Sequence, residues 1–320
     1  MSAPQQEKTL PEVPALGGLY ANALAKSARL MVRAPGAGAT TVPDLAYRVD
    51  NVHPDVERLT AYQHLMGEPG TDVLPAGFVH VSAFGVAMAV MARDDFPLPL
   101  LGMVHIANRV EQREPIRVGE SLTVRAWAER LRAHKSGTQV DLVVEATRAD
   151  DVDPAWRGRS TYLAKGRRLP GLALMETTDT PGTGDTGGTG GTENPADPWG
   201  SDPGPPAAVW NLAKDTGRRY AQVSGDRNPI HLSALTAKAF GFPRAIAHGM
   251  YTAARALAAV GASRVSPAEA FVWDVSFAKP VLLPSKVALA LRPEGEMVRY
   301  LGWNQKAQKR HFSGSVTPLP

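Results

Sequence analysis

Two long apolar segments stand out in the hydrophobic pattern of this chain. The first, at residues 76–92, reads AGFVHVSAFGVAMAVMA, and the second covers residues 242–260. Apolar residues on every side of a helix are typical of a helix buried inside a protein. The first segment also contains His80 and is shorter than the roughly 20 residues that a membrane-spanning helix needs. The pattern therefore predicts two buried core helices.

Alternating apolar and polar residues follow each apolar segment. A period of two residues is typical of a strand with one buried face, as in FVWDVSF at 271–277. Such stretches occur at 103–110, 122–131, 138–148 and 159–164, and again at 271–279, 287–292, 297–303 and 311–317. Pro280 and Pro284 would then mark a strand end or a bulge. Each half is predicted to hold a helix, a long apolar helix and about four antiparallel strands.

A segment rich in Gly, Thr, Pro and Asp separates the two halves at residues 176–206. Such a composition buries too little apolar surface to offset the entropy lost on ordering, so it predicts a flexible linker. Gly182, Gly184 and Gly187 spell GxGxxG, but no predicted strand precedes them, and this argues against a dinucleotide site. The N-terminus lacks the basic and apolar regions of a signal peptide, and we expect a disordered tail there and a cytoplasmic protein.

Composition narrows the possible classes of function. The 320 residues allow two domains, and the absence of cysteine excludes disulfides, thiolate metal sites and cysteine nucleophiles. The net charge of +4 is uneven, because residues 201–320 contain 15 Lys/Arg and 7 Asp/Glu. This excess is consistent with an ordinary solvated face or with a polyanionic ligand. Without a dense basic cluster or recognition motif, nucleic acid is not an expected partner.

The candidate chemistry lies in one segment, YAQVSGDRNPIHLSALTAKAFGFPRAIAHGMY at 220–251. Asp226, Asn228 and His231 place an acid, an amide and an imidazole within six residues, and His248-Gly249 opens the second apolar helix. An acid and an imidazole can divide proton transfer between them. The first N–H groups of a helix are unpaired and carry a partial positive charge, so Gly249 is a candidate donor to an oxyanion.

This segment resembles the MaoC-like family of R-specific enoyl-CoA hydratases and 3-hydroxyacyl dehydratases. The family pattern S-G-D-x-N-P-[IL]-H is matched from Ser224 to His231, and the later H-G-M is matched at 248–250. Ser233 stands where the family usually has Asp, but serine can still cap the next helix. The motifs cover residues 205–320, whereas residues 18–168 resemble the family only by pattern.

The resemblance implies an α+β fold of two tandem hotdog units that form a pseudo-dimer. In a hotdog, an antiparallel sheet wraps around a long central helix. The expected organisation is a disordered tail at 1–17, a non-catalytic hotdog at 18–170, a linker at 171–206 and a catalytic hotdog at 207–320. With both units in one chain, a monomer suffices, and a homodimer is a further option.

The two halves look like copies that differ where chemistry is expected. YQHLMG at 62–67 parallels YAQVSG at 220–225, but 13 residues separate Gly67 from His80, whereas 23 separate Gly225 from His248. The missing ten residues would have held the Asp/Asn/His loop. Glu68 and Asp72 lie nearby, without a histidine at the matching place. The first half is therefore predicted to be a non-catalytic partner, and the resemblance implies that the lost segment leaves room for a longer acyl chain.

The resemblance also implies roles for residues. Asp226 and His231 would hold the water that adds to a trans-2-enoyl thioester, giving an (R)-3-hydroxyacyl product, and the Gly249 N–H would bind the thioester oxygen. The residues expected to contact the substrate are Asn228, Pro229, Ile230, Phe277, Lys279 and Arg244. For Phe277, Lys279 and Arg244, ordinary sheet packing or surface exposure is an alternative. His248 is expected to order the loop, and His80 to pack in the core or line the acyl chain.

Other readings of the same residues remain open. Asp226 could be only a turn former, or it could direct water at the thioester carbon in a hotdog thioesterase. The chain could also be an acyl-binding subunit without catalysis. The eight histidines show neither HxxxH nor HExxH spacing, and we expect no metal and no cofactor. The motif leaves open the acyl length, the carrier (coenzyme A or acyl carrier protein), the direction and the pathway.

Overall fold

One sheet, antiparallel except for the strand pairing at one edge, runs through both halves of the protein. The computed structural model describes residues 4–20, 40–172, 199–200, 203–262, 266 and 268–320. The strands are β1 (Gln6–Thr9), β2 (Leu45–Val52), β3 (Met103–Gln112), β4 (Leu122–His134), β5 (Gly137–Arg148), β6 (Trp156–Lys165), β7 (Ala208–Leu212), β8 (Phe271–Phe277), β9 (Ser285–Glu294), β10 (Met297–Asn304) and β11 (Lys309–Pro318). Their order in the sheet is β1-β2-β4-β5-β6-β3-β8-β11-β10-β9-β7. Pairing of β3 with β8 joins the two halves, with Asn108 opposite Val275.

Each half wraps its sheet around one long helix. The helices are α1 (Val56–Met66), α2 (Ala76–Met91), α3 (Thr216–Ser224), α4 (Pro229–Leu232), α5 (Ala234–Ala239) and α6 (Gly249–Gly261). The long helix α2 packs against β2, β4, β5 and β6, and its counterpart α6 packs against β8, β10 and β11. A Cβ added at Gly77 would lie 3.3 Å from the Cβ of Ala254, so small residues let the two long helices approach closely.

A single apolar core fills the space between helices and sheet. Its members come from both halves, including Phe78 of α2, Trp156 of β6, Val260 of α6 and Trp273 of β8. Burial all around α2 follows from its composition, because a helix without a polar face must be covered on every side. The predicted core face of α6 is confirmed, since Met250, Ala253, Ala254, Leu257 and Val260 are all buried.

The expected architecture is confirmed as two hotdog units. All eight predicted strands are present, and Pro280 and Pro284 lie between the end of β8 and the start of β9. The strands β2 and β7, one before the helices of each half, were not predicted. Among the described residues no helix is long and apolar enough to cross a membrane.

The prediction of a disordered tail at 1–17 is wrong for the described part of that segment. Residues 6–9 form β1, which pairs in parallel with β2 at the sheet edge. The strand contains no apolar residue, and ion pairs order it instead: Glu7 pairs with Arg48 and, at 2.6 Å, with Arg125. Leu16, farther along, is 8% exposed and packs in the core.

Only part of the predicted linker at 171–206 lies within the described residues. Residues 173–198 and 201–202, including the GxGxxG at 182–187, lie outside the described residues. Trp199 is buried against a small cluster on β9 and β10, and the guanidinium of Arg292 lies 4.6 Å from its ring centre. The end of the predicted linker therefore docks on the sheet, while the domain boundaries remain predictions.

Candidate active site

The loop at 225–231 is shaped by its own polar side chains. Helix α3 ends at Gly225, whose φ of 73° is in the left-handed region and whose N–H donates to the Ala221 carbonyl. Asp226 then closes a turn, because its Oδ1 accepts from the Asn228 N–H at 3.1 Å. Asn228 in turn caps α4 by accepting from the Ile230 N–H. Asp226 is therefore a turn former, and this turn also fixes where its carboxylate points.

An acid and two imidazoles converge at the start of α6. Nitrogen or oxygen atoms of Asp226, His231 and His248 all lie within 4.8 Å of one another. The rings of His231 and His248 stack with centres 3.7 Å apart, and His248 Nε2 lies 3.6 Å from Asp226 Oδ2. The structure thus brings together the predicted proton-transfer pair. The predicted ordering role of His248 fits a further contact, because its ring bonds to the backbone of Asp226 at 3.0 Å.

Backbone carbonyls set the proton positions on both imidazoles. His231 Nδ1 lies 2.9 Å from the Ile246 carbonyl, and His248 Nε2 lies 3.0 Å from the Asp226 carbonyl. A carbonyl oxygen only accepts, so these two nitrogens carry the protons. In the neutral His231 ring, Nε2 is consequently left with a lone pair that can accept a proton.

Burial controls the charge of this cluster. It lowers the pKa of His248 to about 3, with His231 adding to the shift, and it also lowers the pKa of His231. Burial alone would raise the pKa of Asp226, but electrostatic interactions with His248 and His231, and hydrogen bonds from Tyr20 and Asn228, bring it below its usual value. At neutral pH the site therefore holds an ionised carboxylate beside two neutral imidazoles.

Tyr20 is a contact that the sequence did not predict. Its hydroxyl donates to Asp226 Oδ1 at 2.6 Å, across 206 residues of chain, from a helical turn at 16–20. The side chain is 6% exposed. Tyr20 belongs to no motif, and no spacing signal connects it to the loop. The first half of the protein therefore contacts the Asp226 loop of the second.

Further side chains of the first half influence the carboxylate through their electrostatics. His80, His105 and Tyr162 interact electrostatically with Asp226. The rings of His105 and Tyr162 stack with centres 4.6 Å apart, and His105 lies 5.3 Å from the Phe277 ring. His80 is buried next to Phe84 and His105, so both expectations for it, core packing and lining of the site, are compatible with its position. Strand alternation could have placed His105 and Tyr162 on the inner face, but not beside Asp226.

Gly249 lies against the ring of Phe277 at the start of α6. Helix α6 begins at Gly249, so its N–H is among the first donors of the helix, which have no partner within it. A Cβ at this position would lie 2.9 Å from Cζ of Phe277. Only glycine leaves the N–H accessible under this ring. Phe277 thus lies at the site, as expected.

The remaining predicted contacts differ in position. Pro229 and Ile230 begin α4, and their carbonyls bond to Thr236 Oγ1 and the Ile246 N–H, so both frame the loop. Lys279 and Arg244 are exposed, and their roles in binding remain predictions. Ser233 caps α5 by accepting from the Thr236 N–H at 3.1 Å, which confirms its expected compensation for the missing aspartate.

The same cluster bears on the expected absence of a metal. Among the described residues, one group of three potential ligands lies close enough together to hold a metal ion. It consists of Asp226, His231 and His248. Each imidazole, however, donates one N–H to a carbonyl. The expectation of a metal-free site therefore remains a prediction, which a chelation experiment can test.

Comparison with known proteins places this geometry in a family. A MaoC-like domain matches residues 202–311. The chain is 35% identical over 248 residues to 3-hydroxyacyl-thioester dehydratase X of Mycobacterium tuberculosis, covering 78% of this chain and 80% of the relative. It is 37% identical over 86 residues to 3-hydroxybutyryl-CoA dehydratase of Methylorubrum extorquens, covering 25% of this chain and 55% of that protein.

Solved structures agree with these relatives. The crystal structure of HtdX from Mycobacterium tuberculosis superposes with a TM-score of 0.70 at 30% identity, covering 86% of this chain and all of the other. A MaoC-like dehydratase from Phytophthora capsici, at 15% identity and a TM-score of 0.64 over 86% of this chain and 95% of its own, shares the fold. The chain belongs to the MaoC-like dehydratase family.

Proposed function

We propose that this protein catalyses the reversible addition of water to trans-2-enoyl thioesters, giving (R)-3-hydroxyacyl thioesters. The observation that carries the proposal is the convergence of the Asp226 carboxylate and the His231 ring beside the first N–H of α6. The names of the relatives, a 3-hydroxyacyl-thioester dehydratase and a 3-hydroxybutyryl-CoA dehydratase, support this class of reaction.

The protonation states define how water would be held. Asp226 Oδ2 and His231 Nε2 are both acceptors at neutral pH, so one water can donate a hydrogen to each of them. Its oxygen lone pair is then directed away from both groups and toward the β-carbon of the substrate. As the C–O bond forms, the pair accepts a proton from the water and returns one to the α-carbon. The resemblance to R-specific enoyl-CoA hydratases implies that the water adds syn, which would place both proton-transfer groups on one side of the alkene.

The start of α6 would stabilise the charge that develops on the thioester oxygen. Attack at the β-carbon moves electrons toward this oxygen, and the Gly249 N–H together with the helix dipole can bind it as an enolate. One such donor typically contributes roughly 10²–10³ in rate. Dehydration uses the same groups in reverse, because the pair then removes the α-proton and protonates the leaving hydroxyl.

The proposal also covers the carrier of the acyl group, the path of the acyl chain and the oligomeric state. The substrate is an acyl thioester of coenzyme A or of an acyl carrier protein, and its acyl chain would pass between the long helices toward the first half. Lys279 follows Phe277 by two residues, and Arg244 precedes His248 by four. Both are exposed cations and would contact the phosphates of the carrier. The covalent pairing of two hotdog units supports a monomer, although a homodimer is compatible with the fold.

A turnover assay tests the proposal. A panel of 2-enoyl-CoA thioesters of graded length is offered to the wild type, Asp226→Asn and His231→Ala, and loss of the enoyl absorbance is followed. We expect turnover by the wild type and a loss of about 100-fold in each variant, from the usual contribution of general acid–base catalysis. His64→Ala removes an exposed imidazole on α1 and is the matched control.

The same assay separates the alternatives. Near-normal turnover by both variants would refute the assigned roles. Release of free thiol would indicate a thioesterase, and tight acyl-CoA binding without turnover would indicate an acyl-binding subunit. Dialysis against a chelator should leave the rate unchanged, because no step of the proposal needs a metal; loss of activity that zinc or another divalent cation restores would contradict the metal-free site.

A further inference from the structure

The N-terminal half contributes a side chain directly to the catalytic carboxylate. Tyr20 donates to Asp226 Oδ1 at 2.6 Å, a distance typical of the charge-assisted hydrogen bond between a hydroxyl and a carboxylate. We propose that Tyr20 is a positioning residue, which fixes the Asp226 carboxylate so that Oδ2 faces the reacting water. This inference rests on the proposed function and extends it to a residue outside the family motif.

The two carboxylate oxygens have different partners. Oδ1 accepts from the Tyr20 hydroxyl and from the Asn228 N–H at 3.1 Å. Oδ2 has His248 Nε2 at 3.6 Å, beyond a normal hydrogen bond, and that nitrogen already donates to a backbone carbonyl. Two donors on Oδ1 therefore hold the plane of the carboxylate and leave Oδ2 as the oxygen that can bind water.

Tyr20 can act only as a donor in this contact. Burial raises its pKa well above the usual value, and the negative charge of Asp226 raises it further. The phenol consequently stays protonated and cannot serve as the catalytic base. Its contribution is a fixed hydrogen bond, not a transferred proton.

The imidazoles that interact with Asp226 carry no positive charge at neutral pH. The groups that interact with Asp226 are Tyr20, His80, His105, Tyr162, Tyr220, His231 and His248. The imidazoles are neutral at pH 7, since burial lowers the pKa of each, to about 4 for His80 and about 3 for His105. The ionised carboxylate is then held by the Tyr20 hydroxyl and the Asn228 N–H.

The position of Tyr20 is itself fixed against the catalytic loop. Leu16, one turn earlier, is buried, and its Cδ1 would lie 3.3 Å from a Cβ at Gly225. Arg58 of α1 donates from Nε to the Val223 carbonyl at 2.5 Å, on the same side of the loop. Side chains from two elements of the first half therefore contact the end of α3, next to the loop that holds Asp226.

Replacement by phenylalanine isolates the hydroxyl. We expect Tyr20→Phe to lower kcat by about tenfold or more, with KM changed less than about twofold, because a hydrogen bond to a charged group is lost while the ring still packs. Tyr62→Phe is the matched control, since its buried hydroxyl has no hydrogen-bond partner among the described residues. That control should keep the wild-type kcat.

A second measurement does not depend on turnover. Carbon-13 NMR of protein labelled at the Asp carboxyl carbon reports the titration of Asp226, assigned through Asp226→Asn. Loss of the donor should raise the pKa of Asp226 in Tyr20→Phe by about one unit, and Tyr62→Phe should leave it in place. In the Asp226→Asn background, Tyr20→Phe should cause no further loss of kcat.

The outcomes separate this inference from the proposed function. If the wild type hydrates enoyl thioesters but Tyr20→Phe shows an unchanged kcat and an unchanged Asp226 titration, Tyr20 has no positioning role. An equal loss in both tyrosine variants would also overturn the inference. If no substrate of the panel is turned over while the titration shifts only in Tyr20→Phe, the contact is upheld and the proposed reaction fails.

Discussion

Glu68 is the first-half counterpart of Asp226, and its environment gives a quantitative prediction. It follows Gly67, which ends α1 with a φ of 78° in the same way that Gly225 ends α3 before Asp226. Glu68 lines a cavity of about 100 Å³ between the start of α2 and the end of α6. Burial raises its pKa to about 8. Glu68 should therefore be mostly protonated at pH 7, whereas Asp226 is ionised.

This shift makes the stability of the protein depend on pH. The folded pKa is above the unfolded value of 4.5, so the stabilisation is complete below pH 4.5 and is lost as the pH rises through about 8. A shift from 4.5 to about 8 corresponds to about 5 kcal/mol at about 1.4 kcal/mol per unit. Because the Glu68 side chain is partly exposed to solvent, which screens its charge, we reduce this expected change in stability to about 2 kcal/mol between pH 5 and pH 8.

The variant Glu68→Gln removes the ionisation and keeps the shape of the side chain. Its free energy of unfolding, from urea titration, should match that of the wild type at pH 5 within about 1 kcal/mol. At pH 8 it should exceed the wild-type value by about 2 kcal/mol more than it does at pH 5. Glu57→Gln changes an exposed carboxyl on the preceding helix α1 and should show no such difference. A stability difference between Glu68→Gln and wild type that is equal at both pH values would refute the reasoning.

Two further predictions concern the site. Gly249→Ala should lower kcat/KM by about 100-fold, because the new methyl group meets the Phe277 ring and displaces the helix N–H from the thioester oxygen. Recovery of activity in the double variant Gly249→Ala, Phe277→Leu would show that the ring is the obstacle. Wild-type activity in Gly249→Ala would contradict the role of this N–H as oxyanion donor. Acid should unfold the protein early, because burial holds the pKa of His80 at about 4 and those of His105 and His248 at about 3. Their stabilisation is present above pH 6.5 and is lost as the pH falls, by about 2 kcal/mol each between pH 7 and pH 5. Urea titrations of Glu68→Gln between about pH 7 and pH 5 would check this without the opposite pH dependence that Glu68 contributes. A free energy of unfolding that does not change with pH would show that the imidazoles are not buried as neutral rings.

The sequence specified most of the fold because its pattern was strong where burial is complete. Helix α2 is apolar on every side, and the alternation at 271–277 left little choice of structure. Strand β1 could not be predicted in this way, since Gln6–Thr9 has no apolar residue and is ordered only by its neighbour in the sheet. Such a strand depends on tertiary pairing and not on its own composition.

The site was predictable to the extent that it is local. Asp226, Asn228 and His231 lie within six residues, and the turn that arranges them is built from their own side chains. Their protonation states are a different matter, because the neutral imidazole of His231 follows from burial and from a carbonyl 15 residues away. Spacing along the chain contains no information on either.

The comparison of Asp226 with Glu68 shows what distinguishes the catalytic half. Both acids follow a left-handed glycine at the end of a helix, and for both carboxyls burial is the largest influence on the pKa. Only Asp226 is surrounded by donors and imidazoles, and one of those donors, the Tyr20 hydroxyl, comes from the half that lacks its own loop. The second half therefore supplies the acid and the imidazoles of the candidate site, and the first half supplies the tyrosine hydroxyl that donates to the acid.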